Sequence, residues 1–161
     1  SYENYWSSGW ASKEQFDRIF EFLKTTGKEI WCYNVLTRGN QEIMAYKRYR
    51  LQPIGAYRIG ITGYGFYGYN LWKNDPYMVV YPGENPVTSY RWEAMREGMN
   101  DIKYIEALKQ EIKKSKNEKK KKEAEQLIDE CLKNVTEHNE NAELIYQYRD
   151  KIAEKILELR K

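Results

Sequence analysis

Two groups of tyrosine, tryptophan and asparagine stand where a sugar ring could be held: Tyr33 and Asn34 at the end of one apolar run, and Tyr69, Asn70 and Trp72 at the end of another. Tryptophan and tyrosine offer flat apolar faces to the C–H surface of a pyranose, while the polar atoms of Asn and Tyr can hold hydroxyl or acetamido groups. Trp6 is a further stacking candidate, in an opening stretch that also carries Tyr2, Tyr5 and Trp10 among serines. Asp75, just past Trp72, could accept hydrogen bonds from sugar hydroxyls, although turn formation ahead of Pro76 explains it more simply. Trp31 and Phe66, within the same two runs, read as core fillers.

Other chemistries find little support. His138 is the single histidine and lies in a polar stretch, which argues against a histidine-based triad or a zinc site. Cys32 and Cys131 are far apart in different kinds of element, without metal-ligand spacing, and read as two buried thiols rather than a disulfide. Neither a metal nor a cofactor is expected. The net charge of +3 hides a basic run: Lys109 to Lys122 holds eight lysines and two glutamates, a local +6, which leaves 3 − 6 = −3 for the remainder. With no arginine and no interleaved aromatics, that run reads as a solvated helix end or inter-helix turn rather than a nucleic-acid site. No apolar run approaches the roughly 18 residues of a membrane span. The chain starts at Ser1 without a signal peptide, which reads as a piece of something larger or a processed product.

The elements that would position these residues follow from periodicity. Ser12 with Gln15 three residues on forms a capping box ahead of Phe16, Ile19, Phe20 and Leu23 at helical spacing, with Gly27 as the stop. Glu29 to Val35 is nearly all apolar, the pattern of a parallel strand buried on both faces. A helical region from about Gln41 to Ile61 is interrupted at Pro53 and closed by Gly63. The strand Tyr64 to Leu71 alternates, placing Gly65, Tyr67, Tyr69 and Leu71 on one face and Tyr64, Phe66, Gly68 and Asn70 on the other. Tyr77 to Tyr81 is a short strand, Pro82-Gly83 a turn, and Pro86 to Ser89 the cap of a helix from about Tyr90 to Ser115. Two further helices cover about 118 to 134 and a last segment starting near Asn139 or Asn141. Strands alternating with helices, but too few to close a sheet on themselves, predict an α/β fold: the C-terminal portion of a (β/α)8 TIM-like barrel, with residues 1–89 as its last β/α units and 90–161 as three helices packed on it.

The segments Tyr64 to Trp72, Val80-Tyr81-Pro82-Gly83 and Val87 to Asp101 resemble the C-terminal catalytic region of family 123 glycoside hydrolases, with Arg91, Glu93, Arg96, Gly98, Asp101 and Tyr104 matching an Arg-x-Glu-x-x-Arg-x-Gly-x-x-Asp-x-x-Tyr pattern. The resemblance implies a barrel β-N-acetylgalactosaminidase of bacterial type, secreted, periplasmic or on the cell surface. Its substrate's own 2-acetamido group attacks the anomeric carbon while an Asp-Glu pair orients that group and protonates the leaving oxygen. Asp129-Glu130 lies on a helical pattern and does not match that pair, which is therefore expected upstream of Ser1. No catalytic residue is assigned to this chain. Its expected part is to supply sugar-subsite walls from Trp6, Tyr33, Asn34, Tyr69, Asn70, Trp72 and Asp75. The expected partners are a glycan and the rest of the parent barrel, not nucleic acid. A non-catalytic carbohydrate-binding or structural module is the alternative, and a helical interaction domain over 90–161 a weaker third.

Overall fold

A computed structural model describes residues 13–35, 46–67, 79–138, 141 and 143–161. Their largest core belongs to helices. Leu51 and Ile54 join Ile105, Leu108, Ile112, Ala124, Ile128, Cys131, Leu132 and Val135, and Ile145, Tyr148, Ile152 and Ile156 complete the cluster. These come from helices α2 (Gln52–Arg58), α3 (Tyr90–Lys114), α4 (Glu118–Glu137) and α5 (Leu144–Leu159), with Leu51 from the π-helical segment Tyr46–Leu51 just before α2. Burying each leucine or isoleucine completely is worth roughly 1.5–3 kcal/mol, so this seam dominates the stability of the chain.

The predicted barrel remnant is not what forms. The chain is mostly helical, with two small two-stranded sheets, and among the described residues no strand side chain enters the main core. β1 (Trp31–Val35) and β2 (Gly63–Tyr67) do pair in parallel, Trp31 opposite Gly63 and Tyr33 opposite Gly65. The second sheet is an antiparallel hairpin of β3 (Val80–Tyr81) and β4 (Val87–Thr88), which sequence patterning had no means of pairing. An apolar run of five residues is compatible with burial on both faces, but only neighbouring strands and helices can provide that burial. Among the described residues, helix α1 (Lys13–Thr25) and α2 line one face alone, where Phe20, Ala56 and Ile61 gather Cys32, Ile30 and Tyr64 around them.

Local signals explain the element ends. Gly27 takes φ +65° after α1. Gly60, at φ +91°, and not Gly63, turns the chain out of α2. Pro53 stands in the first turn of α2, where its missing N–H leaves no gap in the helix. Ser89 caps α3 by accepting the Arg91 and Trp92 N–H groups at 3.2 and 3.4 Å, and Asn117 caps α4 by accepting the Lys120 N–H at 3.1 Å. The apolar stripe of α3 divides: Trp92 and Met95 pack on Tyr49, Val79 and Val80, whereas Ile105, Leu108 and Ile112 face α4 and α5. Met99, between the two, is exposed. Asn134, first residue of the Asn134-Val135-Thr136 sequon, lies inside α4 and donates its amide to the Tyr148 hydroxyl at 2.5 Å.

Both cysteines are free. Burial pushes the Cys32 thiol up to about 11, and burial together with the Asp101 carboxylate pushes Cys131 up to about 12. Since the thiolate is the reactive form, a disulfide-exchange reagent at pH 8 is expected to label half-buried Cys32 slowly and Cys131 only as the chain unfolds. Immediate stoichiometric labelling of both thiols in the folded chain would contradict this placement.

Candidate functional site

Among the described residues, none packs on the face of the β1–β2 sheet opposite α1 and α2. Trp31 and Tyr33, two residues apart and therefore on the same side of β1, are 74% and 71% exposed. Their ring-bearing positions are spaced by roughly 6.6 Å along the strand. Beside them, across the ladder, stand Gly63 and Gly65 rather than side chains. The Trp31 indole lies over Gly63 so closely that a Cβ there would come within 2.6 Å of the ring, while at Gly65 a Cβ would meet nothing within 4 Å. The glycines therefore have separate roles: Gly63 seats the indole, and Gly65 leaves an open shelf next to Tyr33. The indole N–H donates to a Glu29 carboxylate oxygen at 3.1 Å, which fixes the ring's orientation.

Of the residues singled out from sequence, Tyr33 is on this shelf. Asn34 follows it in β1, its backbone in register with Phe66. Trp6, Tyr69, Asn70, Trp72 and Asp75 lie outside the described residues. Trp31, read from sequence as a core filler, is instead the most exposed of the large hydrophobic residues among those described. The signal that could have found it was present: Trp31 and Tyr33 recur at the strand period, opposite glycines at the same period in the partner strand.

The residues that carry the family-like pattern are elsewhere, on α3, and are engaged mostly with residues outside the pattern. Asp101, 1% exposed at its side chain, accepts from Arg50 Nε at 2.9 Å and Arg50 Nη2 at 3.3 Å. The same carboxylate accepts from Arg149 Nε at 2.9 Å and also from Arg149 Nη2. Arg149 Nη2 reaches Glu97 Oε2 at 3.0 Å, and this hydrogen bond is the main reason that the Glu97 carboxyl is held below its ordinary range. Arg149 is itself partly desolvated, yet its bonds to Asp101 and Glu97 outweigh that and raise its pKa. The Tyr146 ring lies under both guanidinium groups, 4.4 Å from Arg50 and 5.7 Å from Arg149, and Tyr104 lies 5.3 Å from Arg149. Arg96 pairs with Glu93 at 2.7 Å on the helix surface. Asp101, Arg149 and Arg50 thus clamp α3, α5 and the π-helical segment together. Each carboxylate of this set is paired with an arginine.

Asp129 and Glu130 are exposed on α4 and sit on different sides of it, Asp129 beside Lys109 and Lys113, Glu130 beside Lys151 and Lys155. Among the described residues, no three or more His, Cys, Asp or Glu side chains converge as a metal ion would require, and no helix is long and apolar enough to cross a membrane. The chain is a helical assembly carrying one small parallel β-α-β unit, whose candidate site is the aromatic shelf on that unit. No protein-family model, curated protein or solved structure matches it.

Proposed function

We propose that this chain binds carbohydrate through the open face of β1 and β2, with Trp31 and Tyr33 as stacking platforms and N-acetylhexosaminides as the ligand class. The observation that carries the proposal is the pairing of two aromatic side chains, each more than two-thirds exposed, with glycines on the neighbouring strand. Aromatic rings left in water on one sheet face forgo the stabilisation that burial would supply, and such patches mark binding surfaces more often than scattered single exposures do. A pyranose covers a ring with its C–H face, and its hydroxyl or acetamido groups remain in reach of the Tyr33 hydroxyl. The N-acetylhexosamine preference comes from the family-like text between Tyr81 and Tyr104, not from the shelf.

Titrating N-acetylgalactosamine and its β-linked oligosaccharides into the chain while following tryptophan fluorescence tests the proposal. Trp31→Ala is expected to weaken binding about tenfold or more, equivalent to about 1.4 kcal/mol, and Tyr33→Ala by a similar factor. No saturable binding, or binding indifferent to both substitutions, rejects the shelf as a sugar site.

The Arg91 to Tyr104 pattern favours a second reading, in which the shelf forms part of a substrate-assisted hydrolase and the acid pair is supplied by another portion of a longer protein. In that case the chain alone releases no aryl alcohol from an aryl N-acetyl-β-galactosaminide, and a longer parent does. A parent that binds the sugar without cleaving it leaves the non-catalytic role.

A further inference from the structure

The α3–α4 turn lies at one end of the helical assembly, and its positive charge is only partly neutralised. α3 ends at Lys114, Ser115 is extended, and α4 begins after the Asn117 cap. The turn is held by its own bonds: the Asn117 N–H donates to Ser115 Oγ at 3.2 Å and the Lys120 N–H to Asn117 Oδ1 at 3.1 Å. The carboxylates at this end are already engaged. Glu111 takes Lys114 at 3.0 Å and Arg160 at 3.2 Å, Glu118 takes Lys121 at 2.7 Å, and Glu158 takes Lys120 at 3.6 Å. Lys113, Lys116, Lys119 and Lys122 are exposed, and none has a carboxylate within 4.0 Å among the described residues. The Arg160–Glu111 and Lys120–Glu158 pairs also bring the C-terminal end of α5, with Lys161, to this end.

We propose that this hairpin tip is a peripheral docking surface for an anionic lipid bilayer, with Lys113, Lys116, Lys119 and Lys122 as its contacts. Lys113 stands on the last turn of α3, Lys116 in the turn itself, and Lys119 and Lys122 on the first turns of α4. A turn ordered by hydrogen bonds thus holds these charges close in sequence, and they need little rearrangement to meet a plane of headgroups. A basic cluster of this size is worth about 1 kcal/mol per lysine near an anionic leaflet. Nucleic acid is the poorer fit. The four free cations are all lysines, with no aromatic residue among them for base stacking. The guanidinium of Arg160, which could have forked onto a phosphate, is held by Glu111. Attachment is electrostatic and lies on the surface, so it needs no membrane-spanning helix. It is also independent of the sugar shelf.

Co-sedimentation of the chain with vesicles of phosphatidylcholine containing phosphatidylserine, against vesicles of phosphatidylcholine alone, tests the surface. The chain is expected on the anionic vesicles only, and to leave them as salt rises. The combined substitution Lys113→Gln, Lys116→Gln, Lys119→Gln and Lys122→Gln is expected to lower partitioning on the order of a hundredfold or more. Its thermal melt should match the parent, since no ion pair is removed. Replacing Lys28, Lys103, Lys133 and Lys151 by Gln removes the same net charge elsewhere and is expected to change partitioning only a few-fold. Equal loss in both quadruple variants, equal binding to both vesicle types, or tighter binding to duplex DNA than to the anionic vesicles at matched salt overturns the proposal.

Discussion

Asp101→Asn is expected to cost about 3–5 kcal/mol of folding stability, the range found when one partner of a buried ion pair is removed. Asparagine keeps the shape but not the charge. Arg50, with its side chain 2% exposed, then loses the buried carboxylate that it pairs with at 2.9 Å, and Arg149 keeps its bond to Glu97 but loses those to Asp101. For a chain of this length the loss amounts to a fall of roughly 10 °C in melting temperature. The same physics predicts an inversion that separates a clamp from an ordinary contact. Replacing the pair together, as Arg50→Met with Asp101→Leu, removes the buried charge instead of stranding it, so the double variant should be more stable than Asp101→Leu alone. Calorimetric melts of the three variants decide the matter. If Asp101→Asn melts within a degree or so of the parent, the carboxylate does not hold these helices together.

Gly98→Ala is the second large effect, and its sign is the informative part. In an exposed helix interior, alanine for glycine stabilises by about 1 kcal/mol because it restricts the unfolded chain and favours the helix. At position 98 of α3 a Cβ would lie 3.1 Å from both the carbonyl carbon and the Cα of Arg50, and closer still to the carbonyl oxygen. Those atoms are backbone, so no rotamer change relieves the clash, and α3 must move away from the π-helical segment. A net destabilisation of about 3 kcal/mol is expected from overpacking of this kind, with loss of the Arg50–Asp101 geometry as a consequence. Urea denaturation of Gly98→Ala, with Gly55→Ala as a comparison, measures it; at Gly55 the nearest atom, a Thr136 methyl, is 3.9 Å from the added carbon. An increase in the midpoint for Gly98→Ala would mean that the two backbones are not in contact.

These two positions also explain what the family-like pattern does here. Gly98 and Asp101 are the places where α3 meets Arg50: one lets the backbone approach, and the other neutralises the side chain that the approach buries. Gly98 and Asp101 of that pattern are therefore accounted for by helix packing. The residues best suited to contact a ligand, Trp31 and Tyr33, lie outside the motif.

Several features were legible in the sequence because their causes are local. The i, i+3 and i+4 recurrence of Ile105, Leu108 and Ile112, and of Ala124, Ile128 and Cys131, marks two helices whose faces meet wherever the chain folds. The Ser89 and Asn117 caps mark starts, and Gly27 a stop, for reasons contained within four residues. The same is true of β1 and β2 as extended runs. What only the tertiary structure decided is which faces those runs would cover. Trp31 reads as core because an apolar five-residue run fits a strand buried on both sides, but burial belongs to the neighbours, and among the described residues helices stand on one side alone. The barrel expectation failed for the same reason: alternation of strand and helix records local pattern, whereas Leu51, Ile54 and the three C-terminal helices choose one another through a shared apolar seam, far apart in sequence. Sequence by itself placed helices α1, α3, α4 and α5 and the extended runs of β1 and β2. Long-range packing determined that helices form the largest core, and that Trp31 and Tyr33 on β1 stay exposed rather than joining a core among the described residues.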